Sequence, residues 1–207
     1  MSTISIVGAG NVARGIATRS VAAGYGVQLL VRDEAKGKAL ASQLGNGVTV
    51  GTIGGPITGD IVALAIPYSA VSEVIRPLGS LSGRTLIDAT NPINAESTGL
   101  ATTPGTSGAE AIAALTPEAH VVKAFNTVFA GNMVAGQKNG QPLDLFIAAD
   151  DEAARTAVIA FGEKTGFRVI DTGALSQSAT LEALAWLHMQ LQFTRGTNFA
   201  SAIAIID

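Results

Sequence analysis

The fold is decided by the stretch TISIVGAGNVARG, residues 3–15 of a 207-residue chain. Residues that favour a β-strand end at Val7, a Gly-x-Gly-x-x-Ala turn follows, and a helical pattern begins at once. Gly8 allows a tight turn, Gly10 lets a pyrophosphate approach the backbone, and Ala13 permits close packing of helix on strand. The free N–H groups of the helix N-terminus would bind the phosphates. Because the motif stands between a strand and a helix, it predicts a dinucleotide site rather than a glycine turn without a ligand.

The end of the second predicted strand indicates which dinucleotide binds. This strand covers residues 26–31 and no acid closes it; Arg32 follows, and Lys36 lies one helical turn further on. NAD sites usually place Asp or Glu here for the ribose hydroxyls, whereas an arginine suits the 2′-phosphate of NADP. We therefore predict NADP(H) and interpret Asp33 as the N-cap of the next helix. In the alternative, Asp33 binds the ribose and the cofactor is NAD.

The composition excludes several classes of function. The chain has no Cys and two His, so we expect no disulfide, no cysteine nucleophile and no His- or Cys-rich metal site. A formal net charge of −3 argues against nucleic acid as a partner. No apolar run approaches the roughly 18 residues that would span a membrane, and no export signal is visible at the N-terminus. We expect a cytoplasmic protein with no membrane partner.

Helical patterns alternate with apolar strand patterns along the chain. This alternation predicts an α/β protein with a Rossmann-type, doubly wound, mostly parallel sheet and a C-terminal helical region. The Gly-rich residues 51–59 predict a degenerate or missing helix. We expect an NADP-binding domain over residues 1–173 and a helical segment over residues 174–207, which packs on that domain and on a dimer mate. The segment is predicted as one long helix from Ser178, which Gly196 could interrupt.

Polar residues follow two neighbouring predicted strands. Ligands of an open parallel sheet bind at the carboxyl ends of its strands, and Asn91 and Asn126 stand at two such ends. Their carboxamides can bind a nicotinamide or adenine edge, or they can bind loop backbone instead. Asp88, inside a strand, is expected to be a structural acid. Lys123 could be a functional cation, but we expect a lysine at the protein surface.

Two features of the C-terminal helix invite a functional interpretation. His188 has mostly apolar neighbours at helical spacing, where a lone histidine more often packs than catalyses. Trp186, Met189 and Phe193 form an apolar stripe. We assign this stripe to core or dimer packing, with the wall of a flavin-like ring as the alternative.

Four motifs together resemble one family. They are VGAGNVA at residues 7–13, DATNP at 88–92, KAFNT at 123–127 and LEALAWLH at 181–188. In this order they resemble the deazaflavin-dependent NADP oxidoreductase family, which is also similar to the NADPH-binding reductase domain of metalloreductases. The likeness extends over nearly the whole chain.

The resemblance implies three groups of cofactor-binding residues. The pyrophosphate is wrapped by Ala9, Gly10, Asn11 and Val12, next to the turn at Gly8. The 2′-phosphate is held by Val31, Arg32 and Lys36. The ribose and nicotinamide are lined by Ile66, Pro67, Asn91 and Ala130. Family members commonly have Ser where this chain has Val31, so contact with the 2′-phosphate depends here on the two cations and on backbone groups.

The resemblance also implies an oxidoreductase that moves hydride between NADP(H) and a deazaflavin, coenzyme F420, or a flavin-like acceptor. Direct transfer between two redox rings requires alignment and exclusion of water rather than a protein acid or base. We therefore predict no catalytic side chain and no metal. A dehydrogenase of a small carbonyl substrate and a protein that senses NADP(H) without turnover are the alternatives.

The last residues of the chain predict self-association. Residues 199–206 are mostly apolar, and exposed apolar patches usually mark interfaces. Two-fold dimers are the commonest soluble oligomers, so we expect a homodimer held partly by the C-terminal region. In the alternative, the tail folds back on its own sheet as an edge strand.

Overall fold

A computed structural model describes residues 2–206. Within them, eight strands form one sheet and two short strands form a hairpin. The strands are β1 (Thr3–Val7), β2 (Gly26–Val31), β3 (Val48–Thr52), β4 (Ile61–Leu64), β5 (Thr85–Asp88), β6 (His120–Lys123), β7 (Gln137–Lys138), β8 (Gln141–Pro142), β9 (Asp144–Ala149) and β10 (Arg168–Asp171).

Helices follow most strands and cover both faces of the sheet. They are α1 (Asn11–Ala22), α2 (Glu34–Leu44), α3 (Val71–Ile75), α4 (Gly108–Leu115), α5 (Ala130–Ala135), α6 (Glu152–Lys164) and α7 (Ser178–Arg195). Single 3-10 turns flank α3 and precede α7. No helix lies between β3 and β4, as the Gly-rich residues 51–59 predicted.

The strand order is that of a doubly wound nucleotide-binding sheet. From one edge it runs β3-β2-β1-β4-β5-β6, all parallel, and continues into β9 and β10. β9 is antiparallel to β6, and β10 is parallel to β9. The chain reverses its direction of winding between β1 and β4, and this is the point where such sheets bind ligands. The predicted fold class is confirmed.

Apolar side chains fill both spaces between sheet and helices. On one face, Ile16 of α1, Leu40 of α2, Met133 of α5 and Phe161 of α6 pack on the strands. On the other face, Val74 of α3 and Ile112 of α4 belong to a second core, and Leu181 of α7 packs on Phe146 of β9. Burial on both faces explains why the central strands are apolar throughout instead of alternating with polar residues.

The C-terminal segment begins with the predicted long helix from Ser178, and Gly196 interrupts it, as considered above. α7 ends at Arg195, because Gly196 adopts the left-handed conformation that commonly terminates helices. Residues 197–206 form neither a helix nor a strand, and they fold back against their own domain. Ile203 packs on Phe146 and Leu181, and the Ile205 N–H donates to Asp144 at 2.7 Å. The tail thus folds back on its own domain, although not as the edge strand considered above; the division of the chain at residue 173 stays a prediction.

None of the helices within residues 2–206 is both long enough and apolar enough to cross a membrane.

Candidate dinucleotide-binding site

The turn after β1 requires glycine at its first position. Gly8 has a φ of +120°, which L-residues rarely adopt, and a Cβ there would lie 2.5 Å from the carbonyl oxygen of Ala65. Its N–H donates to Leu30 of β2 at 2.9 Å. Ala13, five residues later and in the first turn of α1, is fully buried in the core. The first and last small residues of the motif therefore hold β1 and α1 tightly against neighbouring strands.

The middle of the motif is open, as a phosphate site needs. A Cβ on Gly10 would have no atom within 4 Å. No side chain caps α1, and its first backbone hydrogen bond runs from Arg14 N–H to the Gly10 carbonyl at 2.9 Å. The N–H groups of Asn11, Val12 and Ala13 therefore have no partner within the helix and can bind an anion. The turn fits a pyrophosphate.

Two cations lie at the end of β2. The side chains of Arg32 and Lys36 are 69% and 77% exposed. Asp33 accepts a hydrogen bond from the Lys36 N–H at 3.1 Å and is the N-cap of α2, as predicted. Val31 ends the strand with its side chain buried. No acid stands at the strand end itself, where the ribose carboxylate of an NAD site would be.

A cleft opens beside these cations. Its volume is about 320 Å³, and Val31, Arg32, Thr52, Ile53, Glu73, Val74 and Pro77 line it. Its place at the ends of β2 and β3 suits an adenosine. Glu73 faces Arg32 at 4.0 Å across the cleft. No local pattern in the sequence marks Glu73, because α3 brings it there only through packing on the sheet.

The residues predicted to line the ribose and nicotinamide lie along the adjacent strand ends. Ile66 and Pro67 follow β4, and the Cγ2 atom of Ile66 would be 3.1 Å from a Cβ on Gly8. Ala130 begins α5, which packs on α1 where Met133 contacts Gly15. Ile66 thus lies beside the glycine turn, and Ala130 begins the helix that packs on α1.

Asn91 and Asn126 bind each other. The Asn91 amide donates to the Asn126 backbone carbonyl at 3.0 Å, and the Asn126 amide donates to Asn91 Oδ1 at 3.1 Å. The Asn126 amide also donates to the Leu181 carbonyl of α7 at 3.0 Å. The expectation that the amides bind backbone is met, because Asn91 holds the Asn126 loop and Asn126 holds α7. Asn126 Oδ1 is buried without a partner among the described residues, and contact of either amide with a nicotinamide or adenine edge stays a prediction.

The backbone before Asn126 is strained. Phe125 has a φ of +68°, although its bulky side chain disfavours that conformation. Its buried ring makes edge contacts with Phe161 and Phe167, at centroid distances of 6.2 and 5.5 Å. Strain of this kind costs on the order of 1–3 kcal/mol and concentrates at functional sites. The packing of Phe125 therefore turns the chain so that Asn126 faces Asn91.

The expected surface position of Lys123 is wrong. Its side chain is fully buried, and its Nζ donates to Asp88 Oδ2 and Glu182 Oε1, each at 2.8 Å. The reason is that β6 is covered on both faces, so a polar side chain in it must find partners inside the protein. Asp88 is the structural acid that we expected. Glu182 was not anticipated, because its position within an amphipathic helix gives no sign of a buried partner.

Another buried polar group, His188, packs rather than reacts. Its ring stacks on Phe129 at a centroid distance of 4.1 Å, and its Nε2 lies 2.8 Å from Ser201 Oγ of the tail. Of the apolar stripe, Phe193 is 70% exposed and meets Phe199 edge-on at 5.6 Å. Phe193 therefore does not belong to the core of this chain.

The comparisons with known proteins agree with this geometry. Residues 3–92 match the family model described as NADP oxidoreductase, coenzyme F420-dependent. Over 183 residues, 87% of this chain, the sequence is 29% identical to metalloreductase STEAP3 of Rattus norvegicus. Over 132 residues, 61% of the chain, it is 30% identical to the F420-dependent NADP reductase of Methanocaldococcus jannaschii. These matches cover 36% and 59% of the two relatives, so the chain spans less than two thirds of either one.

The similarity to one of the matching solved structures extends over the whole length of both chains. The crystal structure of a candidate F420-dependent NADP reductase from Arthrobacter sp. FB24 has a TM-score of 0.86, with 25% identity and 100% coverage of both chains. The resemblance found in the sequence is confirmed, because the chain is similar in sequence and fold to proteins named as NADP-dependent oxidoreductases.

The burial of His188 predicts a dependence of stability on pH. Desolvation lowers the pKa of His188 below its ordinary value of 6.5, although the backbone of Thr127 acts in the opposite direction. The unfolded chain therefore binds a proton before the folded protein does, and stability falls as the pH decreases through 6.5 toward the folded pKa. Urea unfolding between pH 8 and 5 should show this loss in the native protein and a weaker one in His188→Gln. The exposed His120→Gln variant is the control; an unchanged slope in His188→Gln would contradict the assignment.

Proposed function

We propose that the chain binds NADP(H) across the edge of the sheet formed by β1, β2 and β4. The observation that carries the proposal is an uncapped helix N-terminus behind an open Gly10, beside two cations at the end of β2. Ala9, Gly10, Asn11 and Val12 would hold the pyrophosphate, with Gly8 forming the turn. Val31, Arg32 and Lys36 would hold the 2′-phosphate. The nicotinamide end would lie against Ile66, Pro67, Asn91 and Ala130.

The proposed reaction is the transfer of a hydride, which the bound NADPH supplies. The protein contributes binding, alignment and a water-poor surface rather than an acid or a base. The two amides suit this task, because Asn91 and Asn126 are already fixed by hydrogen bonds to each other and to α7. Lys123 and His188, which could have suggested acid–base chemistry, are buried and engaged by their neighbours.

We propose a deazaflavin such as coenzyme F420, or a flavin, as the acceptor. The family match and the name of the Methanocaldococcus relative support this choice. The test is stopped-flow oxidation of NADPH with coenzyme F420, FMN, FAD, ferric chelates and quinones. Turnover with F420 or a flavin supports the proposal. Turnover only with small ketones would indicate the carbonyl dehydrogenase, and tight NADPH binding without any turnover would indicate a sensor.

Arg32 should determine the preference for NADPH over NADH. Arg32→Ala removes charge-assisted hydrogen bonds to the 2′-phosphate and should weaken NADPH binding by about 1.5–3 kcal/mol, with little effect on NADH. Glu73→Gln removes a carboxylate that faces the same position, so it should leave NADPH binding equal or tighter. Arg195→Ala, at the exposed end of α7, is the control. Calorimetric titration checks all three, and equal losses for both cofactors in Arg32→Ala would contradict the assignment.

We also propose a homodimer through the outer face of α7. Leu187 and Leu191, one turn apart, are 55% and 40% exposed, although apolar side chains at such spacing usually face a partner. Sedimentation velocity at micromolar concentration should show a dimer, and Leu187→Glu should convert it to a monomer. A native monomer that NADPH leaves unchanged would contradict the proposal. The cytoplasmic location stays a prediction.

A further inference from the structure

A buried ionic cluster joins three elements beneath the proposed nicotinamide end. It consists of Asp88 at the end of β5, Lys123 at the end of β6 and Glu182 in α7, and we call it the Lys123 cluster. The side chains of all three are 0% exposed. The Lys123 Nζ has three acceptors, namely Asp88 Oδ2 at 2.8 Å, Glu182 Oε1 at 2.8 Å and the Thr90 carbonyl at 2.7 Å.

The contacts of this cluster end on the backbone next to the two amides. Thr90, which directly precedes Asn91, is held twice, because its carbonyl accepts from Lys123 and its N–H donates to Asp88 Oδ1 at 2.8 Å. Glu182 stands beside Leu181, whose carbonyl accepts from the Asn126 amide at 3.0 Å. The cluster therefore fixes the backbone on both sides of the Asn91–Asn126 pair.

The second carboxylate of the cluster is balanced by a helix. Glu182 Oε2 accepts from the Gly108 N–H at 2.9 Å, and Oε1 accepts from the Ala109 N–H at 3.3 Å, both at the start of α4. The N-terminal charge of a helix stabilises a carboxylate in this position. Lys123 thus contacts both carboxylates, and Glu182 also contacts the N-terminus of α4. Each charge of the cluster therefore has a partner of opposite sign.

Stability alone does not account for such a cluster. Buried ion pairs can often be replaced by apolar side chains of similar volume without loss of stability, because burial removes the charges from water. What charged groups add is direction, since each hydrogen bond fixes a distance and an angle. Here those directions converge on Thr90 and α7, the supports of Asn91 and Asn126.

We propose that Lys123 and Glu182 are positioning residues for the nicotinamide end of NADP(H). They act through Thr90 and Leu181 and hold the Asn91–Asn126 pair in the orientation that receives the ring. This inference rests on the proposed function, because it assumes that the nicotinamide lies at Asn91. It predicts that damage to the Lys123 cluster affects the nicotinamide half of the cofactor and spares the phosphate-binding half.

The experiment compares two ligands by calorimetry. NADPH occupies the whole proposed site, whereas adenosine 2′,5′-bisphosphate occupies only the part near Arg32. Glu182→Gln keeps the size of the side chain but replaces one carboxylate oxygen with an NH2 group. Because that group donates hydrogen bonds and cannot accept one from the N–H groups of α4, the contact with α4 is disturbed. This variant should bind NADPH about tenfold more weakly, the effect of one badly placed hydrogen bond, and should bind the bisphosphate as the native protein does.

A second variant removes all three charges together. Asp88→Asn/Lys123→Met/Glu182→Gln leaves no unpaired buried charge, which protects the fold while removing the lysine that holds Thr90. It should show the same selective loss. Asn91→Ala should do so as well, and adding Glu182→Gln to it should cause little further loss, because both changes act on one interaction. Gln28→Met, which disrupts a polar network that joins β1 and β2 to the loop before β4, is the control and should leave the ratio of the two affinities unchanged.

The outcomes separate the two proposals. Normal NADPH binding by Asn91→Ala would contradict the placement of the nicotinamide and, with it, the positioning role. Weakened binding by Asn91→Ala together with normal binding by both cluster variants would overturn the positioning role alone. Equal loss of both ligands, or loss of the folded state in both cluster variants, would identify the cluster as a general structural element and would also overturn it.

Discussion

The close approach of Gly8 to the Ala65 carbonyl oxygen sets the geometry on which the site depends. A Cβ at Gly8 would lie 2.5 Å from that oxygen, so only glycine lets β1 turn into α1 so close to the end of β4. The turn then exposes the N–H groups at the start of α1 at the point where the sheet reverses its winding. Gly10, which nothing crowds, leaves that end open to a phosphate. The requirement for glycine at position 8 thus shapes the proposed phosphate-binding surface at Gly10.

Electrostatics distinguishes the two ends of the proposed site. At the phosphate end, the cations are exposed, and the opposing Glu73 lies 4.0 Å from Arg32. Water strongly screens the charges of these exposed cations. Their attraction for the 2′-phosphate therefore becomes effective only when the phosphate is bound next to them. At the nicotinamide end, the charges of the Lys123 cluster are buried and fully paired. The first end can adjust to a ligand, whereas the second is fixed before any ligand arrives.

The sequence predicted the features that follow from local rules. The glycine turn, the Asp33 cap, the missing helix before β4 and the doubly wound order each depend on short motifs or on the alternation of patterns. Lys123 shows where this fails, because a lysine in a short strand suggests the surface unless its partners are known, and those are 35 and 59 residues away. Glu73 was missed for the same reason, and the return of residues 197–206 onto their own domain was foreseen only as an edge strand. Their positions result from packing between distant segments, which no local pattern records.

We propose that NADP(H) lies across the β1–β4 edge, with its phosphates on α1 and its nicotinamide at the ends of β5 and β6. A crystal structure of the chain grown with NADPH tests this most directly. We expect the pyrophosphate over Gly10, the 2′-phosphate within hydrogen-bond distance of Arg32, and the nicotinamide beside Asn91. A dinucleotide bound elsewhere, or one whose adenosine end points toward Asn91, would contradict it.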